Sequence, residues 1–239
     1  MMSLRTAMTG LAAALAITSG ASLGMTQGAK ELTFSVLLDD RPIGEHRFRI
    51  QENPDGRVVE SEATFDVSVL FVPVFSYRHS NTEVWRDGCL SRIESETDSN
   101  GDRYKVDGQR EAQAFAVETA EGARSYPADC LMTFAYWDRR FLDQDRLLNA
   151  QTGEVVAVEV QPLGSERLSI AGTDVPTEVF RIRAQDEDLD IKVSYDERTG
   201  RWVSLESRLA SGKLIRYLPA ADDRLAMRDD RRQSGPLER

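Results

Sequence analysis

From residue 31 onward, apolar side chains recur at every second position. Leu32, Phe34, Val36 and Leu38 form the first such row. A period of two places them on one face of an extended strand and their neighbours on the other. Asp39-Asp40-Arg41-Pro42 has the composition of a turn, after which Ile43, His46, Phe48 and Ile50 outline a second strand. Asn53-Pro54-Asp55-Gly56 is a second turn, and 58–70 a third strand, with Ala63, Phe65, Val67 and Val69 on one face. The rhythm continues through 77–85, the Asp87-Gly88 turn, 89–97, 103–110 and 113–119. Asp-Gly between alternating runs is a strong hairpin signal.

The stretch 132–150 breaks the rhythm. It lacks Gly and Pro, and several of its apolar residues lie three to five apart, which predicts one short helical segment. Alternation then resumes over 155–161, 166–170, 177–184, 189–196, 202–209 and 213–218. About thirteen strands in all predict an all-β fold, far richer in strand than an ordinary mixed domain. Its expected form is a single, strongly curved antiparallel meander, a half-barrel or barrel, because a long twisted sheet curls. The 132–150 segment then covers the concave side, with Phe134, Tyr136 and Trp137 as candidate ligand-facing aromatics.

The two ends of the chain are unlike its middle. Residues 1–24 contain Arg5, an apolar run from Ala7 to Ile17 and small residues at Ser19, Ala21, Ser22 and Gly24, the form of a cleavable export signal. The run is shorter than a membrane span, so the mature chain is not expected to cross a bilayer. Residues 220–239 mix Asp and Glu with Arg and few large apolar groups, a charged tail expected to be disordered. The β-rich domain is thus bounded at 31–218, and the expected location is the periplasm.

Export alters how Cys89 and Cys130 read. An even pair in an oxidising compartment suits a disulfide, and two buried thiols are the alternative. The 239 residues carry 30 Lys and Arg against 40 Asp and Glu, a net charge of −10. An acidic chain lacks the positive footprint that nucleic acid requires. There is no phosphate loop, dinucleotide fingerprint, nucleophile elbow or zinc-type spacing, so no cofactor or metal is implied.

Only two histidines are present, His46 and His79. If their strands face one cavity, they meet there with Glu83, and a hydrolase or isomerase using a histidine and a carboxylate is one expectation. The commoner fate of a strand histidine is a hydrogen-bonded structural role. On one strand, His79 and Glu83 share a face about 13 Å apart, too far to touch.

Several strings in order resemble a family of exported bacterial proteins known only as a domain of unknown function: LDDRPIGEHRF (38–48), YRHSNTEVW (77–85), DGCL (87–90), FAYW (134–137), LLNAQTGE (147–154) and WVSLE (202–206). The resemblance implies a β-rich periplasmic protein, and more loosely one similar to open barrels that carry lipoproteins or lipids. The leading expectation is a non-enzymatic protein that shelters an apolar small molecule or lipid, or docks an envelope protein. A purely structural domain with a packed interior is the other non-enzymatic reading.

Overall fold

The computed structural model describes residues 29–69, 72–127, 129–170, 172–184, 189–221 and 223. The expected export signal at 1–24 and nearly all of the expected charged tail at 220–239 lie outside these residues. Eight strands come first: β1 (Lys30–Leu38), β2 (Arg41–Asn53), β3 (Gly56–Val69), β4 (Val72–Arg86), β5 (Cys89–Ser99), β6 (Asp102–Arg110), β7 (Ala114–Thr119) and β8 (Gly122–Pro127). After a cap segment come β9 (Arg146–Leu148), β10 (Val155–Ile170), β11 (Thr173–Ala184), β12 (Asp190–Asp196), β13 (Trp202–Arg208) and β14 (Leu214–Pro219). All fourteen belong to one sheet in the order β8-β7-β6-β5-β4-β3-β2-β1-β14-β13-β12-β11-β10-β9, each strand antiparallel to its neighbours. The return of β14 to β1 joins the two ends of the domain.

The all-β antiparallel expectation therefore holds, but the strongly curved half-barrel or barrel does not. The sheet is open, with β8 and β9 as its two edges. The reason lies in what occupies those edges. β9 is only three residues long, and its outer side is taken by the cap through a parallel bridge between Thr133 and Leu148. On β8, Arg124 and Tyr126 donate from their side chains to the carbonyls of Thr152 and Gly153. Side-chain bonds stand where a strand ladder would have closed a barrel.

Two further differences concern local structure. The helical segment expected over 132–150 reduces to a single 3₁₀ turn, Arg139–Asp143, capped by the Asp138 carboxylate, followed by β9. The runs 155–161 and 166–170 are one strand, β10, with an irregular register between Pro162 and Gly164. β10 runs far beyond its short neighbour β9, and a proline and a bulge are common devices on such an unpaired edge.

Burial follows the alternation. On β3, Val59, Ser61, Ala63 and Phe65 are buried while Glu60, Glu62, Thr64 and Asp66 are exposed. The main core gathers residues of this inner face with the cap residues Leu131, Met132, Ala135, Phe141, Leu147 and Leu148. A smaller cluster of Ile170, Val175 and Val203 forms near the β10–β11 hairpin. Phe34 and Trp202 lie 3.9 Å apart between ring centres and tie β1 to β13 within the main core.

Candidate functional site

Register alone brings the sequence candidates together. His46 on β2, Ala63 on β3 and His79 on β4 lie side by side. Next along the strands come Phe48, Ser61 and Asn81, then Ile50, Val59 and Glu83. Side chains directly opposite one another on adjacent strands point to the same face. Here the central strand offers small residues, Ser61 and Ala63, between larger ones on both sides. A hollow over β3 results, closed from above by the cap.

Gly44 sets up β2 locally. A Cβ at this position would lie 1.8 Å from the carbonyl oxygen of Thr64, so only glycine lets β3 come this close. The β1–β2 register shifts opposite it, between Val36 and Leu37. The extra residue, Ile43, sits on β2 beside Gly44 and three residues before His46.

The cap is held at several points. Cys89 and Cys130 form a disulfide, with their Cα atoms 4.9 Å apart. Beside it, Leu90 N–H donates to Leu131 O at 2.9 Å, and Leu148 N–H donates to Met132 O at 2.8 Å. Tight turns follow, in which Ala135 N–H donates to Thr133 O and Tyr136 N–H to Phe134 O. The Tyr195 hydroxyl on β12 donates to Tyr136 O at 2.8 Å. On the other flank, Tyr77 donates to Gln151 Oε1 at 3.1 Å, and Ser95 Oγ donates to Ala150 O.

Between sheet and cap lies a cavity of about 240 Å³. His46, His79 and Glu83 line it from below, and Phe134, Tyr136 and Trp137 from the cap. All six sequence candidates thus share one space. Trp137 meets Trp85 edge to face at 5.2 Å, with the Arg57 guanidinium 5.0 Å from its ring centre. Tyr136 packs against Phe141 at 5.5 Å and Trp202 at 5.3 Å.

Burial disfavours charge on the groups around this space. Burial pushes the His46 imidazole down to about 3, with nearby His79 adding to the effect, and burial lowers His79 to about 4. Burial raises Glu83 above the ordinary carboxylate value, against hydrogen bonds from Asn81, Thr133 and Trp85 that favour its ionised form. Tyr77 is pushed up to about 12, and Tyr136 and Tyr217 are raised further, again by burial. In the cap itself, Asp138 pairs with Arg57 at 3.1 Å and with Arg140. Although burial opposes it, hydrogen bonds from Arg140 hold Asp138 below its usual range.

Proximity does not produce a catalytic set. Glu83 accepts from Asn81 Nδ2 and Trp85 Nε1, each at 2.9 Å. His79 Nδ1 shares a hydrogen bond with the Thr97 hydroxyl at 2.8 Å. Neither nitrogen of His46 has a partner. Among the described residues no carboxylate orients either imidazole, and rings held this far below neutral pH are weak bases. The expectation of a histidine–carboxylate enzyme is therefore not met by the geometry. Among the described residues no group of three or more His, Cys, Asp or Glu stands ready to hold a metal ion.

The sequence pattern did not single out Ser61, Tyr77, Asn81, Thr133 and Gln151, which also line the cavity. One signal was present: Tyr77, His79, Asn81, Glu83 and Trp85 form an inward row that alternates correctly yet is unusually polar. A buried polar row needs partners, and they come from within the row, from Thr97 on β5 and from Thr133 and Gln151 across the cavity.

Residues 34–220 match a family described as a domain of unknown function, DUF6134. The chain belongs to that family. The match begins within β1 and runs past the end of β14, so it takes in the cap and nearly all of the sheet. Among curated proteins none matches the chain. Among solved structures, the DUF6134 protein is similar to a β-barrel-like protein of domain of unknown function DUF1849 from Brucella abortus. The TM-score is 0.60 at 11% identity, covering 82% of this chain and 97% of that one. A DUF1329 family protein from Desulfovibrio piger matches at a TM-score of 0.25 and 11% identity, covering 83% and 85%. The Brucella likeness concerns fold alone. Among the described residues of the DUF6134 chain, no helix is long and apolar enough to cross a membrane.

Proposed function

We propose that this DUF6134 protein is an exported, non-enzymatic binding protein of the bacterial envelope, working in the periplasm. It holds a small uncharged molecule between its sheet and its cap. The observation that carries this reading is the 240 Å³ space walled by Tyr136, Trp137 and Phe134, in which burial favours the neutral form of the histidines, glutamate and tyrosines that line it. An apolar concavity with a few convergent polar groups is the usual form of a small-ligand site. The Cys89–Cys130 disulfide supports an oxidising compartment, in line with the signal-like residues 1–24.

Size restricts the cargo. At about 30 Å³ per water-sized group, the space takes roughly eight non-hydrogen atoms. A longer chain would extend beyond it, so a compact small molecule is the ligand this space fits.

Native mass spectrometry of the periplasmic protein tests this. The expected result is a fraction of molecules carrying a non-covalent adduct of one small compound, released on denaturation. A single bare mass, together with no thermal stabilisation by small aromatics such as toluene or phenol, would refute the assignment.

A further inference from the structure

We infer that the cavity selects an uncharged molecule bearing a hydroxyl, phenol or carboxamide, which pairs with His46 and Asn81. This rests on the binding reading above and specifies the chemistry of its ligand.

Hydrogen bonding inside the cavity is unfinished. His46 stacks on Phe48, with ring centres 4.2 Å apart, and both of its ring nitrogens are buried without a partner. Asn81 uses its amide nitrogen on Glu83 at 2.9 Å, and its carbonyl oxygen, also buried, has none. Buried polar atoms without partners are few in native proteins, and each calls for a specific cause. Here both residues line one cavity, His46 from β2 opposite Ala63 and Asn81 from β4 opposite Ser61.

The pattern of donors and acceptors then defines the ligand. A neutral imidazole presents one N–H donor and one acceptor nitrogen, and Asn81 Oδ1 presents an acceptor. A hydroxyl or primary amide supplies both a donor and an acceptor and fits this set. A carboxylate supplies acceptors only, leaves Asn81 Oδ1 unmatched and brings a charge into a space with no Lys or Arg among its described lining residues. An ammonium group supplies donors only and leaves the N–H of His46 unmatched. The remainder of the ligand lies against the aromatic walls.

Phenol, toluene and benzoate are matched in ring size and test the inference directly. Calorimetric titration of the full mature chain at pH 7.5 should show phenol binding at least about tenfold more tightly than toluene, because losing a neutral hydrogen-bonding group costs that much or more. Benzoate should not bind. His46→Phe keeps the stacking ring and should reduce the phenol preference to near unity while toluene still binds. Nitrogen chemical shifts of His46 should move on phenol addition in the wild-type chain, a readout independent of whether the variant folds. If toluene binds as tightly as phenol, the inference fails and the cavity reading survives. Phenol preference that persists in His46→Phe, with His46 resonances unmoved, also overturns it. If none of the three binds, the binding reading itself fails.

Discussion

Replacing both buried histidines should flatten the acid side of this protein's stability curve. An unperturbed histidine titrates near 6.5, whereas in the fold His46 titrates at about 3 and His79 at about 4, both lowered chiefly by burial. Below pH 6.5 the unfolded chain therefore binds protons that the folded chain refuses. The stability these neutral rings confer is complete above pH 6.5 and is lost as pH falls toward the folded values. At pH 5 both folded values still lie below the solution pH, so the loss is set by the unfolded titration alone. It amounts to about 2 kcal/mol per histidine, or ~4 kcal/mol for the pair between pH 7.5 and pH 5. Glu83 acts with the opposite sign. Its raised value means that the stability it adds is present at low pH and is lost as pH rises through that value. Glu83 is common to the wild type and the His46→Gln/His79→Gln variant, so it cancels in the difference between them. Urea denaturation of both proteins at pH 7.5 and pH 5 measures that difference. Parallel pH dependence within about 1 kcal/mol, or histidine ring resonances titrating near the ordinary value, would refute the claim that these rings are buried and neutral.

Other perturbations test the frame around the cavity. Cys89→Ala/Cys130→Ala removes a link of sequence separation 41, and loop entropy assigns it at most ~4 kcal/mol. Wild-type protein with and without reductant should show a comparable loss of unfolding free energy, with the earliest amide exchange in the cap. Gly44→Ala forces a Cβ onto the Thr64 carbonyl and should cost about 3 kcal/mol or more, seen as a lowered midpoint and faster exchange across β2–β3. Trp85→Phe removes one donor from the buried Glu83 carboxyl and should cost about 1–3 kcal/mol in equilibrium unfolding. Tyr195→Phe frees the Tyr136 carbonyl from its anchor on β12 and should cost about 1 kcal/mol while loosening the cap to proteolysis.

Strand after strand is legible in the chain itself, because alternation on a sheet with one buried face is a local property. Leu32, Phe34 and Val36, or Val59, Ala63 and Phe65, declare their face through spacing alone, and Asp87-Gly88 declares its hairpin. The Cys89–Cys130 pairing is readable from parity and the expected compartment. Weak alternation conceals β8, and three residues are too few to reveal β9. The aromatics of 132–150 look helical because apolar spacing is the one local cue they offer. Their actual path follows bonds from Tyr195 and Leu90, which are distant in sequence.

Closure and chemistry belong to the same nonlocal class. Whether a long meander joins its two edge strands, here β8 and β9, depends on what reaches those edges, and here Thr133 and the turn near Gly153 arrive first. The sequence names two histidines and a glutamate, but whether such groups are ionised depends on the solvent they lose. Side-chain order along a strand is written in the chain; the register that sets His46, Ser61 and Asn81 around one hollow, and the burial that disfavours charge there, arise only when remote segments pack.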